Sequence, residues 1–160
     1  MMNQARPNWD EYFLKMAMLV AERSTCLRHH VGAIFVKDKR FLTTGYNGAG
    51  RGEKDCLELG CKKDELGIAS GFGSEKCRAI HAEQNAIIQA AIFGMSVRDS
   101  KLYITLPPCM MCAKEVKQLG IEEIISYNKF FNKEAEEYLR EAKIGIRILP
   151  RPSDRISFKD

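Results

Sequence analysis

The sequence predicts an α/β fold, an α-β-α sandwich in which helices cover both faces of a mixed five-stranded sheet. Two apolar stretches, 31–36 and 41–46, flank the polar turn 37–40 and predict a β-hairpin. From residue 81 onward helical and extended patterns alternate, which predicts parallel strands joined by right-handed crossovers. Because the chain combines an antiparallel hairpin with parallel strands, its sheet must be mixed.

Four helices are predicted from their patterns. The first begins near Trp9, with Asn8 as its N-cap, and its apolar residues recur every three or four positions up to Val20. The second, 81–93, carries Ala and Ile on nearly every face, which predicts that it is buried. The second half then alternates, with strands at 102–106, 121–127 and 144–148 and helices at 109–119 and 135–142. The structure from Pro150 onward is left open.

The bulk composition is that of one globular domain covering residues 1–160. The chain has 45% hydrophobic and 29% charged residues, and a net charge of +4 from basic residues dispersed along the sequence. Since there is no Lys/Arg block or basic stripe, we expect no nucleic-acid partner. The polar segment Met1–Asp10 does not resemble a signal peptide, and no apolar run approaches the ~20 residues of a membrane span. We therefore expect a cytoplasmic protein without a membrane partner.

A Pro-Pro-Cys-Met-Met-Cys motif at 107–112 indicates a metal site. Zinc prefers imidazole nitrogen and thiolate sulfur, and a catalytic zinc takes three protein ligands and leaves one position for water. Cys109 and Cys112 are three residues apart and would share a face at a helix N-terminus. The helix dipole there favours the thiolate form that binds metal.

The His81-Ala82-Glu83 motif would complete this site only in a particular geometry, because residues two apart on a helix point in roughly opposite directions. His81 can be the third ligand if the metal lies off the first turn, with Glu83 reaching the bound water. Zinc lowers the pKa of bound water to about 7. Glu83 would carry the water proton to the substrate ring and then to the departing amino group. His-x-Glu with Pro-Cys-x-x-Cys is the signature of the zinc deaminases.

Further segments narrow the comparison: Val-Gly-Ala at 31–33, Gly-Tyr-Asn-Gly at 45–48, His-Ala-Glu-Gln-Asn-Ala at 81–86 and Thr-Leu-Pro-Pro-Cys at 105–109. Together they resemble the bacterial and phage deoxycytidylate (dCMP) deaminases, over roughly residues 10 to 150. The resemblance implies a cytidine-deaminase-like fold and a single deaminase domain. It also implies hydrolysis of dCMP to dUMP and ammonia, which supplies dUMP for thymidylate synthesis.

The resemblance implies contacts with the nucleotide as well. Asn47 should lie near the sugar and Arg28 should face the 5′-phosphate, which a guanidinium can bind through two hydrogen bonds. Ala82 and Tyr127 should lie against the substrate. His29 and His30, which follow Arg28, are interpreted as surface residues.

Regulation and assembly also follow from the resemblance. Gly50 stands where family members often have proline, in a stretch associated with the regulatory nucleotides dCTP, an activator, and dTTP, an inhibitor. Mg²⁺ would accompany the regulatory nucleotide. Family members commonly form homo-oligomers such as hexamers.

The loop predicted at about 47–78 is long for a compact domain, and cysteines offer a reason for it. The cysteines left after the catalytic pair, Cys26, Cys56, Cys61 and Cys77, suit a closed structural zinc site that would replace the core this loop cannot form. Some dCMP deaminases hold a second zinc in this region. Four scattered reduced cysteines are the alternative.

Three other functions compete with dCMP deamination. A tRNA adenosine deaminase shares both motifs and the Met-Cys pair at 111–112, but the cysteine loop and the absence of a basic stripe oppose it. Free cytidine deaminases usually have cysteine at the position of His81. The last alternative is a non-catalytic, zinc-stabilised interaction module, which would have no use for a general base at Glu83.

Overall fold

The computed structural model describes residues 6–153, and its sheet has the predicted architecture. Its helices are α1 (Trp9–Ala21), α2 (Cys56–Leu59), α3 (Lys62–Glu65), α4 (Ala82–Ile92), α5 (Met110–Leu119) and α6 (Lys133–Glu141). Its strands are β1 (Gly32–Lys37), β2 (Arg40–Tyr46), β3 (Lys101–Ile104), β4 (Glu123–Ser126) and β5 (Gly145–Ile148). The strand order is β2-β1-β3-β4-β5. β1 pairs antiparallel with β2 and β3, and the β3–β4 and β4–β5 pairs are parallel. The mixed five-stranded sheet is confirmed.

Each face of the sheet has its own hydrophobic cluster. Successive strand residues point to opposite faces, so Ile34 packs against α1 whereas Phe35 packs in the cluster beneath the other helices. α1 contributes Phe13 and Leu14 to the first cluster. α4, α5 and α6 contribute small and aliphatic residues to the second, among them Ala86, Val116 and Leu139. Helices therefore cover both faces, as predicted.

Local capping residues set the helix ends. The side-chain oxygen of Asn8 accepts a hydrogen bond from the Glu11 N–H at 2.9 Å, which confirms the predicted N-cap of α1. α5 ends at Gly120, whose φ of +70° suits a residue without a Cβ. Within residues 6–153 none of the helices is long and apolar enough to cross a membrane.

The segment 47–78 is more structured than predicted. It contains α2, α3 and a 3₁₀ turn at Ser74–Lys76, and its two ends meet in a bridge between Gly48 and Ile80. Short helices of four residues cannot be recognised by periodicity, which needs a longer window.

The expectation that the helix at 81–93 is buried on nearly every face is wrong. Ala82, Glu83, Ala86 and Ala90 face the core, but the other face of α4 is open: Ile92 is 59% exposed and Phe93, just after the helix, is 75% exposed. The alanines, not the isoleucines, lie at the closest approach to the sheet.

The C-terminal segment that the sequence left open lies only partly within the described residues. Residues 150–153 are neither helix nor strand, and 154–160 lie outside the described range. The first five residues of the predicted polar N-terminal segment also lie outside it.

Two glycines in the recognised segments allow helices to approach the sheet closely. A Cβ added to Gly45 would lie 2.3 Å from both the carbonyl oxygen of Ala82 and the backbone nitrogen of Ala86, so the backbone of α4 rests directly on β2. A Cβ added to Gly32 would lie 2.0 Å from the Ala17 carbonyl oxygen of α1. Both glycines are required by packing.

Gly45→Ala should therefore destabilise the protein by about 2–3 kcal/mol, because the added methyl must push α4 off the strand. Gly48→Ala is the matched control, since its Cβ would meet the nearest atom at 3.5 Å, an ordinary contact. Urea denaturation of both variants and the wild type measures the difference. Equal midpoints for Gly45→Ala and Gly48→Ala would contradict the close approach.

Candidate metal centre and cavity

One edge of the sheet brings the two sequence motifs together. β1 runs antiparallel to β2 and β3, so the last residues of β2 and β3 lie at the same edge. α4 begins at this edge because the Gly48–Ile80 bridge ties the residues before it to the end of β2. α5 begins there because it follows β3 after a short connection. The sheet thus aims two helix N-termini at one point.

The three predicted ligands meet at this point. His81 and Cys109 are the N-cap residues of α4 and α5, both with extended backbone, and Cys112 lies in the first turn of α5. As an N-cap, His81 does not follow the helical direction of Glu83. His81 and Glu83 can therefore face the same site although they are only two residues apart.

The distances fit a tetrahedral metal ion. Nδ1 of His81 lies 3.6 Å from Sγ of Cys109 and 3.5 Å from Sγ of Cys112. With bonds of about 2.3 Å to sulfur and 2.0–2.1 Å to nitrogen, a tetrahedral zinc ion would hold its nitrogen and sulfur ligands about 3.6 Å apart. Within residues 6–153 these three form the only group of at least three His, Cys, Asp or Glu residues whose ligand atoms lie within 4.8 Å of one another.

Gln84 ties the two ligand-bearing helices together. Its side-chain oxygen accepts the His81 N–H at 3.1 Å, and its amide donates to Oε1 of Glu115 on α5 at 3.0 Å. One side chain thereby sets the spacing between the start of α4 and the side of α5. Gln84 belongs to the recognised segment 81–86, but nothing in the sequence indicates that it contacts Glu115.

Glu83 is buried beside the three candidate ligands. It is only 4% exposed, lies in the first turn of α4 and lines the cavity together with His81 and Cys109. Burial raises the pKa of Glu83 to about 7, although the nearby charge of His81 opposes this shift. A carboxyl group with a pKa near neutrality can both accept and donate a proton at physiological pH.

Hydrogen bonds among the three ligand side chains shift their pKa values. The hydrogen bond with Cys112 and a second one with His81 lower the pKa of Cys109 to about 3, against the effect of burial. Burial lowers the pKa of His81, but hydrogen bonds with Cys109 and Cys77 outweigh it and raise the pKa to about 10. Ser74 also donates a hydrogen bond to Sγ of Cys109 at 3.2 Å. At least one thiol is therefore held as the thiolate.

A solvent-open cavity lies next to this group, and most of the predicted substrate residues line it. Arg28, Asn47 and Ala82 are on its wall. Tyr127 is not: it packs with the cluster under α1, and the Arg151 guanidinium lies 5.5 Å from the centre of its ring. The structure thus does not bring Tyr127 to the cavity. Tyr127 follows the last residue of β4 and lies two residues after Ile125, so both side chains face α1.

The predicted nucleotide residues are already engaged within the protein. The Asn47 side chain accepts the Val31 N–H at 2.8 Å and donates to the His29 carbonyl at 2.9 Å, which closes the end of the hairpin. Arg28 donates through Nε to Asp64 at 2.7 Å and through Nη1 to the Ile68 carbonyl at 2.7 Å. Arg28 therefore clamps the segment that contains α3 to the cavity wall.

His30 is exposed, as expected for a surface residue, whereas His29 is half-buried. His29 lines the cavity, where its Nε2 lies 2.8 Å from Oγ of Ser70 and its ring lies 5.1 Å from that of Phe131. Phe131 is an aromatic side chain on the cavity wall that the sequence analysis did not single out.

The four remaining cysteines lie on the wall of the same cavity, although they come from separate parts of the chain. Burial raises the pKa of Cys56, and the charges of Cys26, Cys77 and Cys61 raise it further, so the four thiols are electrostatic neighbours. In the described residues no three of these sulfurs lie within 4.8 Å of one another. The thiols gather in one region without forming a compact ligand set.

Comparison with known proteins agrees with this arrangement. Residues 7–128 match the model of the cytidine and deoxycytidylate deaminase zinc-binding region. A deoxycytidylate deaminase from Schizosaccharomyces pombe is 35% identical over 156 residues, which cover 96% of this chain and 48% of the yeast protein. A deoxycytidylate deaminase from Mycobacterium phage D29 is 39% identical over 126 residues, covering 76% of this chain and 95% of the phage protein. The chain therefore spans about half the length of the yeast relative and nearly all of the phage one.

A solved structure agrees with the fold. The dCMP deaminase of cyanophage S-TIM5, in complex with dCMP and dUMP, aligns with a TM-score of 0.75 at 28% identity, covering 91% of this chain and 100% of that one. Family motifs, fold and metal geometry point the same way. The chain belongs to the cytidine and deoxycytidylate deaminase zinc-binding family.

Proposed function

We propose that this protein hydrolyses dCMP to dUMP and ammonia, with His81, Cys109 and Cys112 holding a catalytic zinc ion and Glu83 as the general acid and base. The observation that carries the proposal is the three-ligand group at the wall of an open cavity, with a buried carboxyl group two residues from one ligand. A purely structural zinc site would be closed by a fourth ligand and would not need that carboxyl group. Relatives and the cyanophage structure supply the substrate.

The donor set suits zinc, since one imidazole and two thiolates leave one position open for water. When bound, zinc would lower the pKa of a coordinated water to about 7 and provide a nucleophile near neutral pH. Two helix N-termini face the ligands and favour the thiolate form of the cysteines. Gln84 would maintain the ligand spacing through its two hydrogen bonds.

Glu83 would act as the proton carrier. Because burial raises its pKa to about 7, it would accept the proton of the attacking water and deliver it to N3 of the pyrimidine. It would then take the remaining proton from the hydroxyl group added at C4 and pass it to the amino group, so that the C4–N bond breaks, ammonia leaves and the C4 carbonyl forms. The low exposure of Glu83 would keep bulk water from exchanging that proton during the transfer.

The cavity wall favours a nucleotide over a nucleoside. Four of the side chains that line it are cationic, Arg28, Lys62, Lys63 and Arg78. A 5′-phosphate carries the opposite charge, and the named substrate in the cyanophage structure, dCMP, has one. Half-exposed Phe131 could pack against the nucleotide.

We also propose that Cys26, Cys56, Cys61 and Cys77 bind a second, structural zinc ion. Their mutual electrostatic influence and their position on one wall support this. The sulfurs would have to move closer together to bind one ion, and α2 and α3 are short enough to shift with them.

Assembly and regulation remain predictions. We expect a homo-oligomer such as a hexamer, and the exposed apolar side chains of Ile92 and Phe93 at the end of α4 support this. Control by dCTP and dTTP, with Mg²⁺ bound to the nucleotide, would involve the stretch around Gly50. The single deaminase domain over residues 1–160 likewise stays a prediction.

Ammonia release from the zinc-replete wild type should be selective for dCMP when dCMP, deoxycytidine and dCTP are offered separately. Glu83→Gln should keep its zinc and lower kcat at least about 10²-fold, because the amide cannot carry the proton. Metal analysis of the same samples separates loss of catalysis from loss of the ion. A wild type inactive on all three compounds, or an active Glu83→Gln variant, would sink the proposed reaction.

Cys109→Ser should lower the bound zinc by about one ion per chain and abolish turnover, since a hydroxyl is a poor substitute for a thiolate ligand. Elemental analysis after dialysis against a weak chelator measures the loss. Met111→Ser, at a partly exposed position in the first turn of α5, is the control and should retain the zinc. Full zinc content in Cys109→Ser would exclude Cys109 as a ligand.

Cys56→Ser tests the second zinc. The wild type should contain about two zinc ions per chain and Cys56→Ser about one, with a lower thermal midpoint because the metal no longer holds the segment 47–78. Zinc analysis and a thermal melt with and without added zinc provide the measurements. One zinc ion per chain in both proteins would mean that the four thiols are simply reduced cysteines.

A further inference from the structure

Lys63 is a largely buried residue whose ammonium is not paired with a carboxylate. It lies in α3 on the cavity wall and only 8% of the residue is exposed. Within residues 6–153 its ammonium forms neither a salt bridge nor a hydrogen bond. In the described residues the fully buried side-chain nitrogen and oxygen atoms without a hydrogen-bond partner are Arg78 Nε and Glu115 Oε2, so the Lys63 ammonium is not sealed from solvent and an anion in the cavity can reach it.

The carboxylates next to Lys63 in the chain are already paired with other cations. Asp64 accepts hydrogen bonds from Arg28, at 2.7 Å from Nε and 2.5 Å from Nη2. Glu65 contacts Nζ of Lys62 at 2.8 Å and Nη2 of Arg78 at 3.6 Å. The unmatched positive charge on this wall therefore belongs to Lys63.

The position of Lys63 is held by Arg28. Through its bonds to Asp64 and the Ile68 carbonyl, Arg28 fastens both sides of the turn that follows Lys63. The Ile68 N–H in turn donates to the Lys63 carbonyl at 2.9 Å. The charge of Lys63 also reaches the cavity: burial lowers the pKa of His29, and the charges of Arg28 and Lys63 lower it further.

We propose that the Lys63 ammonium binds the 5′-phosphate of the nucleotide and is the residue that selects dCMP over deoxycytidine. This rests on the proposed function, which supplies the phosphate. A phosphate would give the ammonium up to three charge-assisted hydrogen bonds that it otherwise lacks. Arg28 acts as a positioning residue, because binding phosphate itself would require it to share or give up the bonds to Asp64.

A second anion that could attract the Lys63 ammonium is the group of four cysteines proposed to bind the structural zinc. Four thiolates around a zinc ion carry a net negative charge, and Lys63 shares the cavity wall with all of them. The two roles predict different losses. Removal of a phosphate ligand weakens dCMP binding and leaves the zinc in place, whereas removal of a counter-ion weakens zinc binding and affects all substrates equally.

The test compares Lys63→Met with Lys63→Arg, which keeps the charge, and with Lys54→Met, an exposed lysine of the same segment that does not line the cavity. Each holoenzyme is assayed for kcat and KM with dCMP and with deoxycytidine, and for zinc per chain and thermal midpoint. If Lys63→Met does not fold, Lys63→Gln is used in its place.

Lys63→Met should lower kcat/KM for dCMP about 10- to 100-fold, mainly through KM, and change deoxycytidine turnover by less than about threefold. Lys63→Arg should lie closer to the wild type, and Lys54→Met should match it. The proposal is overturned if Lys63→Met keeps the wild-type preference for dCMP. It is also overturned if turnover of dCMP and of deoxycytidine falls by the same factor and the zinc content per chain falls with it. A wild type without dCMP turnover would instead remove the proposed function itself.

Discussion

The close contact between α4 and β2 is the constraint on which the rest of the site depends. Because Gly45 lacks a side chain, the backbone of α4 lies directly on the strand. Thr43 and Asn85 add hydrogen bonds across this contact, from Thr43 Oγ1 to the Ala86 carbonyl and from the Asn85 amide to the Tyr46 carbonyl. A helix held this rigidly carries His81 and Glu83 to a defined place at the sheet edge. The small alanines of α4 face the strand for the same reason.

A second helix N-terminus then meets the first. α5 follows β3, which pairs with β1 in a register that puts its end beside the end of β2. Gln84 bridges the two helices by bonding the His81 N–H and Glu115. Both helix dipoles point their positive ends at the ligand side chains and favour thiolates. In the same small volume, burial raises the pKa of the Glu83 carboxyl group against that field. The chemistry proposed for this protein depends on this pairing of helix ends.

The segment 47–78 forms the opposite side of the cavity and supplies what the sheet cannot. It brings Ser74 against Cys109 and places cysteines and Lys63 on the cavity wall. Arg28, which follows α1 in the chain, fastens this segment through Asp64 and the Ile68 carbonyl. Its short helices have little core of their own, so its shape depends on these polar contacts and on any metal that its thiols bind. In this division of roles the sheet and α4 position the reacting groups, whereas the segment 47–78 determines which ligand fits.

The sequence by itself determined the five strands, the four longer helices, the mixed sheet and the motif residues His81, Cys109 and Cys112. It could do so because hydrophobic periodicity and ligand spacing are local properties of the chain. It could not determine which residues from distant segments share the cavity. His29, interpreted from the sequence as a surface residue, lies half-buried on the cavity wall, and Lys63, which the sequence analysis did not single out, lies there too. Tyr127, expected to contact the substrate, packs under α1. The exposure of Ile92 and Phe93 was missed for a related reason, since an apolar side chain on a helix does not reveal whether anything covers it. Only the tertiary structure decided these positions, because burial and charge pairing depend on contacts between residues far apart in the chain.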